Sequence, residues 1–84
     1  MIIVKYFASL KNIAGKEEER FDLAKGSTLN ELCQAISNTN PQLGQMVQEK
    51  KVMISVNLDV VSLDHVLNDG DEVALLPPFS GGTQ

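Results

Sequence analysis

The chain has little with which to staple itself, cross a membrane or hold a nucleic acid. Cys33 is its only cysteine, so no intrachain disulfide forms and nothing points to an oxidising compartment. Basic residues are in deficit: the formal charge is −4, and with no basic stripe to displace counterions a nucleic-acid partner is excluded. The same charge mildly favours partners with a basic docking surface. No apolar run approaches membrane-spanning length, and the opening Met1-Ile2-Ile3-Val4-Lys5 lacks the layout of a signal peptide. A cytoplasmic protein is expected. His65 is the single histidine; it has no second His or Cys at ligand spacing, so it reads as a surface turn residue and not as a metal ligand. Internal repeats, linkers and low-complexity segments are absent too.

What is there suits one small domain. Eighty-four residues, 43% hydrophobic and 21% charged, suffice for a single core without staples. Ile2 to Phe7 is a β-branched and aromatic run with no breaker, which predicts a central strand. Ala8 to Gly15 reads as a loop or short turn closed by glycine. Glu17 to Leu23 alternates towards its end, with Phe21 and Leu23 on one face, and predicts a second strand paired with the first. Glu17, Glu18 and Glu19 read as its solvated edge, not as a catalytic pair.

Thr28-Leu29-Asn30-Glu31 has capping-box spacing. Leu29, Leu32, Cys33 and Ile36 then recur at helical intervals as one apolar stripe. Asn38-Thr39-Asn40-Pro41 stops that helix, and Gln42 to Glu49 reads as a short helical turn with Leu43, Met46 and Val47 inward. On this stripe Cys33 is expected to be a core residue and not a sulfur-handling thiol. Val52 to Val56 is a further strand, Asn57-Leu58-Asp59 a turn and Val60-Val61 a brief edge strand. Asp64 to Leu67 reads as a helical turn, Asn68-Asp69-Gly70-Asp71 as a loop, and Glu72 to Leu76 as the last strand. Turn chemistry accounts for Asp69 and Gly70, and a docking role for Asp71 or Glu72 is the minority reading. Phe7, Leu58 and Leu75, taken singly, are expected in the core. This order predicts an α+β roll: a mixed sheet with one main helix packed on one face.

The last strand runs into Pro77-Pro78-Phe79-Ser80-Gly81-Gly82-Thr83-Gln84. Two prolines lack N–H donors and end the sheet pairing. The small residues beyond them predict a flexible arm over 79–84, attached to a domain over 1–78. At about 3.3–3.6 Å per residue, Phe79 to Gly82 reach some 13 Å from the body. Without Cβ atoms, Gly81 and Gly82 can enter a narrow cleft of a partner.

Val4-Lys5-Tyr6-Phe7-Ala8-Ser9-Leu10, Asp69-Gly70-Asp71-Glu72-Val73-Ala74 and Leu75-Leu76-Pro77-Pro78-Phe79-Ser80-Gly81-Gly82 together resemble the small subunits of molybdopterin synthase, which are ubiquitin-like sulfur carriers. The likeness covers nearly the whole chain. It implies a β-grasp fold with a di-glycine arm and a non-catalytic, sulfur-donating subunit of a heterotetrameric synthase in molybdenum cofactor biosynthesis. It further implies no bound cofactor, with ATP consumed by an E1-like activating enzyme that adenylates the C-terminal glycine before sulfur replaces AMP. The implied partners are that enzyme, the large synthase subunit and a pterin precursor in the large subunit's site. Carried over by position, Gly82 is the thiocarboxylate residue and Gly81 the slim residue behind it. Phe79, Pro78 and Ser80 contact the partner. The resemblance leaves room for a carrier serving thiamine thiazole or tRNA thiolation, or for a modifier joined to lysines. The chain departs from the family pattern after Gly82, where Thr83 and Gln84 hold that residue in a peptide bond. Three readings stay open: a protease trims the pair, the pair is an addition, or the chain does not carry sulfur.

Overall fold

The computed structural model describes residues 1–77. Five strands form one sheet: β1 (Ile2–Tyr6), β2 (Glu18–Phe21), β3 (Met53–Val56), β4 (Asp59–Val60) and β5 (Glu72–Leu76), in the spatial order β2-β1-β5-β3-β4. β1 runs antiparallel to β2 and parallel to β5, while β3 is antiparallel to both β5 and β4. The expected first strand is therefore interior, but the centre of the sheet is β5. Alternation decides the two faces. Ile2, Val4 and Tyr6 of β1 are buried together with Val56, Val73 and Leu75, so the intervening residues face the other way.

Three helices, α1 (Ser9–Ala14), α2 (Leu29–Thr39) and α3 (Pro41–Gln48), accompany the sheet. The main helix is α2, whose predicted stripe Leu29, Leu32, Cys33 and Ile36 is buried throughout. Its capping box is formed: the Thr28 hydroxyl accepts from the Glu31 N–H, and the Glu31 carboxylate accepts from the Thr28 N–H at 2.8 Å. Such a cap contributes about 1 kcal/mol. Asn40 ends α2 and begins α3; its Oδ1 accepts from the Leu43 N–H and its Nδ2 donates to the Ile13 carbonyl. Pro41, which stops α2, is also the first residue of α3, where a missing N–H costs nothing. The expected short turn after Pro41 is thus a helix of eight residues, with Leu43 buried and Met46 and Val47 packed at the core's margin. Gly44 lets α3 approach α2 closely: a Cβ there falls inside the envelope of the Ser37 side chain and 2.7 Å from its Cα.

Two segments differ in kind from the expected elements. Residues Ser9–Ala14 are a helix and not a loop, because Leu10 is fully buried as its anchor and Gly15 closes it in the left-handed conformation. Asp64 to Leu67 is no helical turn. The chain turns at Leu63–Asp64 and then runs extended, with Val66 bridged to Thr28. The carbonyls of His65 and Leu63 accept from the N–H groups of Leu29 and Asn30, the otherwise orphaned donors at the start of α2. That service outweighs local helix preference. The edge strand also begins one residue early, at Asp59, leaving a two-residue turn at Asn57-Leu58.

Candidate functional site

The predicted site residues Pro78, Phe79, Ser80, Gly81 and Gly82 lie outside the described residues, as does the expected arm over 79–84. The structure places the point from which they depart. β5 lies between β1 and β3, paired with both over residues 73–75, with Val73 and Leu75 fully buried, and the chain leaves it at Leu76-Pro77. The segment beyond is therefore mounted on the most enclosed strand of the sheet.

Leu76, at the exit, alternates with the buried Val73 and Leu75 and so lies on the helix-free face of the sheet, the exit face. By register, Leu76 stands opposite Met53 and Ala74 between Lys5 and Ser55, while Ser55 stands opposite Val60. Phe7 follows β1 directly and donates its N–H to the Leu75 carbonyl at 3.1 Å, which places it beside Leu76. This face thus carries an apolar end of Phe7, Leu76 and Met53 next to the exit. In its middle the Lys5 ammonium meets the Glu72 carboxylate at 3.0 Å. The hydrogen bond and the charge of Glu72 raise the Lys5 ammonium above its ordinary range.

Phe7, Leu58 and Leu75 do not share one fate. Leu75 is core, as expected. Phe7 is 43% and Leu58 89% exposed, so both expectations of burial are corrected. For Phe7 the reason is strand parity: with Ile2, Val4 and Tyr6 inward, residue 7 faces out. Leu58 is the second residue of the β3–β4 turn, where Asn57 (φ 50°) and Leu58 (φ 74°) are both left-handed. That is the pattern of a two-residue type I′ hairpin, in which glycine usually holds the second place.

The acidic loop has a structural role that the sequence reading gave only in part. Asp71 is 9% exposed and accepts from the Asn57 Nδ2 at 2.9 Å and the Asn68 N–H at 2.8 Å. Asp71 is therefore bonded inward, not presented to a partner. The Glu72 N–H donates to the Asn57 Oδ1 at 3.0 Å, and the Asn57 N–H to the Glu72 carbonyl at 2.8 Å. The signal available beforehand was an asparagine in a hairpin turn followed by leucine where glycine is the norm.

Cys33 lies on α2, across the sheet from the exit face, and burial pushes its thiol up to about 11. It is a core residue. Among the described residues no cluster of His, Cys, Asp and Glu is placed to hold a metal ion, and no helix is long and apolar enough to cross a membrane.

Comparison with known proteins fits this geometry. Residues 4–82 match the ThiS family. The chain is 36% identical over 83 residues to the molybdopterin synthase sulfur carrier subunit of Chlamydomonas reinhardtii, covering 96% of this chain and 98% of that protein. It is 30% identical over 84 residues to the small archaeal modifier protein 1 of Haloferax volcanii, covering 93% and 97%. The crystal structure of SAMP1 from Haloferax volcanii superposes with a TM-score of 0.84 over 96% of this chain and 98% of the other, at 29% identity. A complex of subunits 1 and 2 of the molybdopterin-converting factor of Helicobacter pylori contains a chain with a TM-score of 0.67 and 28% identity, covering 96% and 97%. The architecture is the β-grasp, ubiquitin-like fold.

Proposed function

The chain belongs to the ThiS family, and from that premise we propose that it is a sulfur carrier serving as the small, non-catalytic subunit of molybdopterin synthase. The observation that carries this reading is the full-length similarity to sulfur carrier subunits of that enzyme, with Gly81 and Gly82 just beyond a rigidly held exit strand.

The chemistry explains the architecture. A carboxylate is a poor electrophile because its charge is delocalised. The Gly82 carboxylate, freed by removal of Thr83-Gln84, first attacks the α-phosphorus of ATP in an E1-like partner, and pyrophosphate leaves. A sulfur nucleophile then adds to the acyl-adenylate and AMP departs, giving a thiocarboxylate. Its sulfur is softer and less hydrated than oxygen and attacks an activated carbon of the pterin precursor in the large subunit, forming a carbon–sulfur bond as the carbon–oxygen bond there breaks and its oxygen leaves protonated. Cleavage of the acyl–sulfur bond by water returns the carboxylate. The carrier supplies the reacting atom, and each partner supplies orientation and charge stabilisation. Gly81 and Gly82 pass into both active sites because neither carries a Cβ. Pro78, Phe79 and Ser80 are the first positions able to anchor the segment.

The exit face is the docking surface for the large subunit. Its apolar end at Phe7, Leu76 and Met53 lies beside the departing chain, and the Helicobacter pylori complex supports a partner of this kind. The similarity to an archaeal modifier protein favours one second reading, attachment of Gly82 to substrate lysines.

Intact mass of the chain from its native cells tests both, before and after incubation with its activating enzyme, ATP and a sulfur source. Loss of Thr83-Gln84 followed by replacement of one oxygen by sulfur is expected. A chain that never gains sulfur refutes the carrier reading, and covalent ladders on many proteins transfer support to the modifier.

A further inference from the structure

We propose that the outer edge of β2 is a self-recognition surface, on which two copies of this chain pair two-fold about Glu19 into one continuous sheet.

The first observation is the direction in which the backbone of β2 points. The N–H groups of Ile3 and Phe7 donate to the carbonyls of Asp71 and Leu75 on the β5 side, whereas the Tyr6 N–H donates to the Glu17 carbonyl at 2.9 Å on the other. Residues 2, 4 and 6 thus bond towards β2. Their partners in register, Glu19 opposite Val4 and Phe21 opposite Ile2, therefore direct their N–H and C=O groups inward. Those of Glu18 and Arg20 point out of the sheet, and among the described residues no hydrogen bond reaches them. The other edge, β4, is only two residues long, against four in β2.

The second is the charge pattern on that edge. Exposed edges are commonly guarded by charge, which an incoming strand meets as repulsion. Here the sign alternates along one parity, through Lys16, Glu18, Arg20 and Asp22. An antiparallel partner has to match outward-pointing residues, which leaves few registers. Centred on Glu18 or on Arg20, the pairing sets like against like: Glu18 against Glu18 and Lys16 against Arg20, or Arg20 against Arg20 and Glu18 against Asp22. Centred on Glu19, every such pair is opposite. Glu18 faces Arg20 of the second copy, and Lys16 faces its Asp22. Each Glu18–Arg20 pair then exchanges two backbone hydrogen bonds.

The third is the state of the residue on the axis. Two Glu19 side chains come together there, but each carboxylate is already held inward. It accepts from the Tyr6 hydroxyl at 2.9 Å and lies 3.6 Å from the Lys16 ammonium, with the side chain 20% exposed. Glu18 and Arg20 stand on the opposite face and are exposed, with a loose contact of 4.0 Å between them. Exchanging that contact for one across the axis costs little.

A junction of two short strands falls far below the roughly 1,200–2,000 Å² of stable interfaces, so the dimer is weak and transient. Its two-fold axis is normal to the sheet, which puts all helices on one side and both helix-free faces on the other. Five strand spacings, from β5 through β1 and β2 to the second copy's β5, separate the two β5 strands by about 24 Å. Antiparallel pairing points the two chain exits in opposite directions, and neither is covered.

Sedimentation velocity and amide chemical shifts of the full-length chain, followed from micromolar to millimolar concentration, test the proposal. Reversible self-association is expected, with concentration-dependent shifts at residues 16–22 and none at β4. Arg20→Glu sets glutamate against glutamate and Glu18→Arg sets arginine against arginine, so each variant alone is expected to associate about tenfold more weakly. Mixed in equal amounts, the two variants restore opposite charges at both pairs. The mixture is expected to associate at least as strongly as the unaltered chain, an outcome that loss of folding does not produce. A chain that stays monomeric, shifts confined to another surface, or a mixture no stronger than its components overturns the proposal.

Discussion

Gly44→Ala pits two opposing effects against each other, and the structure says which wins. Alanine is the better helix former by about 1 kcal/mol, so an isolated α3 would gain from the change. Against α2 the added methyl falls within the Ser37 side chain and 2.7 Å from the Ser37 Cα, where ordinary contact begins at 3.4 Å. The Oγ can rotate away, but the Cα belongs to the backbone of α2. Relief therefore asks the two helices to separate by roughly 0.7 Å, at a point flanked by the fully buried Leu43 and Ile36. Overpacking of this kind costs up to about 3 kcal/mol, leaving a net loss of about 2 kcal/mol. For a domain of this size that is a fall in Tm of about 8–16 °C, measurable by far-ultraviolet circular dichroism. Adding Ser37→Gly removes two of the three close contacts, so the double variant should be less destabilised than the sum of the singles by about 1 kcal/mol. A Tm that rises in Gly44→Ala, as propensity alone dictates, refutes the close approach of α2 and α3.

Other perturbations have defined signs. Leu58→Gly removes left-handed strain but adds chain entropy, for a net gain of up to about 1 kcal/mol in urea unfolding; a loss of stability shows that Leu58 packs in the free chain. Asn40→Ala removes the cap that α3 shares with the end of α2 and is expected to cost about 1–2 kcal/mol by the same assay. Burial raises both the Cys33 thiol, to about 11, and the Tyr6 phenol, which also donates to Glu19 at 2.9 Å. The stability they contribute is intact below their ordinary pKa values and is lost as pH climbs through the raised ones. The urea midpoint should therefore fall steadily from about pH 9 upwards, and the absorbance of the sole tyrosine at 295 nm should titrate well above its ordinary position. A flat midpoint to pH 11 contradicts the burial of both groups. Native Cys33 should also resist alkylation at pH 8 and react freely once urea unfolds the chain.

Local patterns made most of the fold legible. The capping box and the stripe of α2 all lie within residues 28–36, and β5 has the bounds its sequence predicts, Glu72–Leu76. Expectations failed where a distant element decided the outcome. Residues 64–67 have no helical form because α2 needs the carbonyls of Leu63 and His65. Phe7 departs from the expected core because a lone apolar residue reads as buried until strand parity is known. The Asn57–Asp71 pair was invisible because fourteen residues separate its members.

The last strand of the chain is the middle strand of the sheet, and its parallel neighbour is the first. Such a topology folds late, because its decisive contact joins the two extremes of the polypeptide and the long loop must close before any pairing rewards it. Until β5 pairs, the chain has neither a completed sheet nor an exit face. Completion of the sheet and formation of its helix-free face are therefore a single event, and a chain that loses β5 to proteolysis loses that face with it.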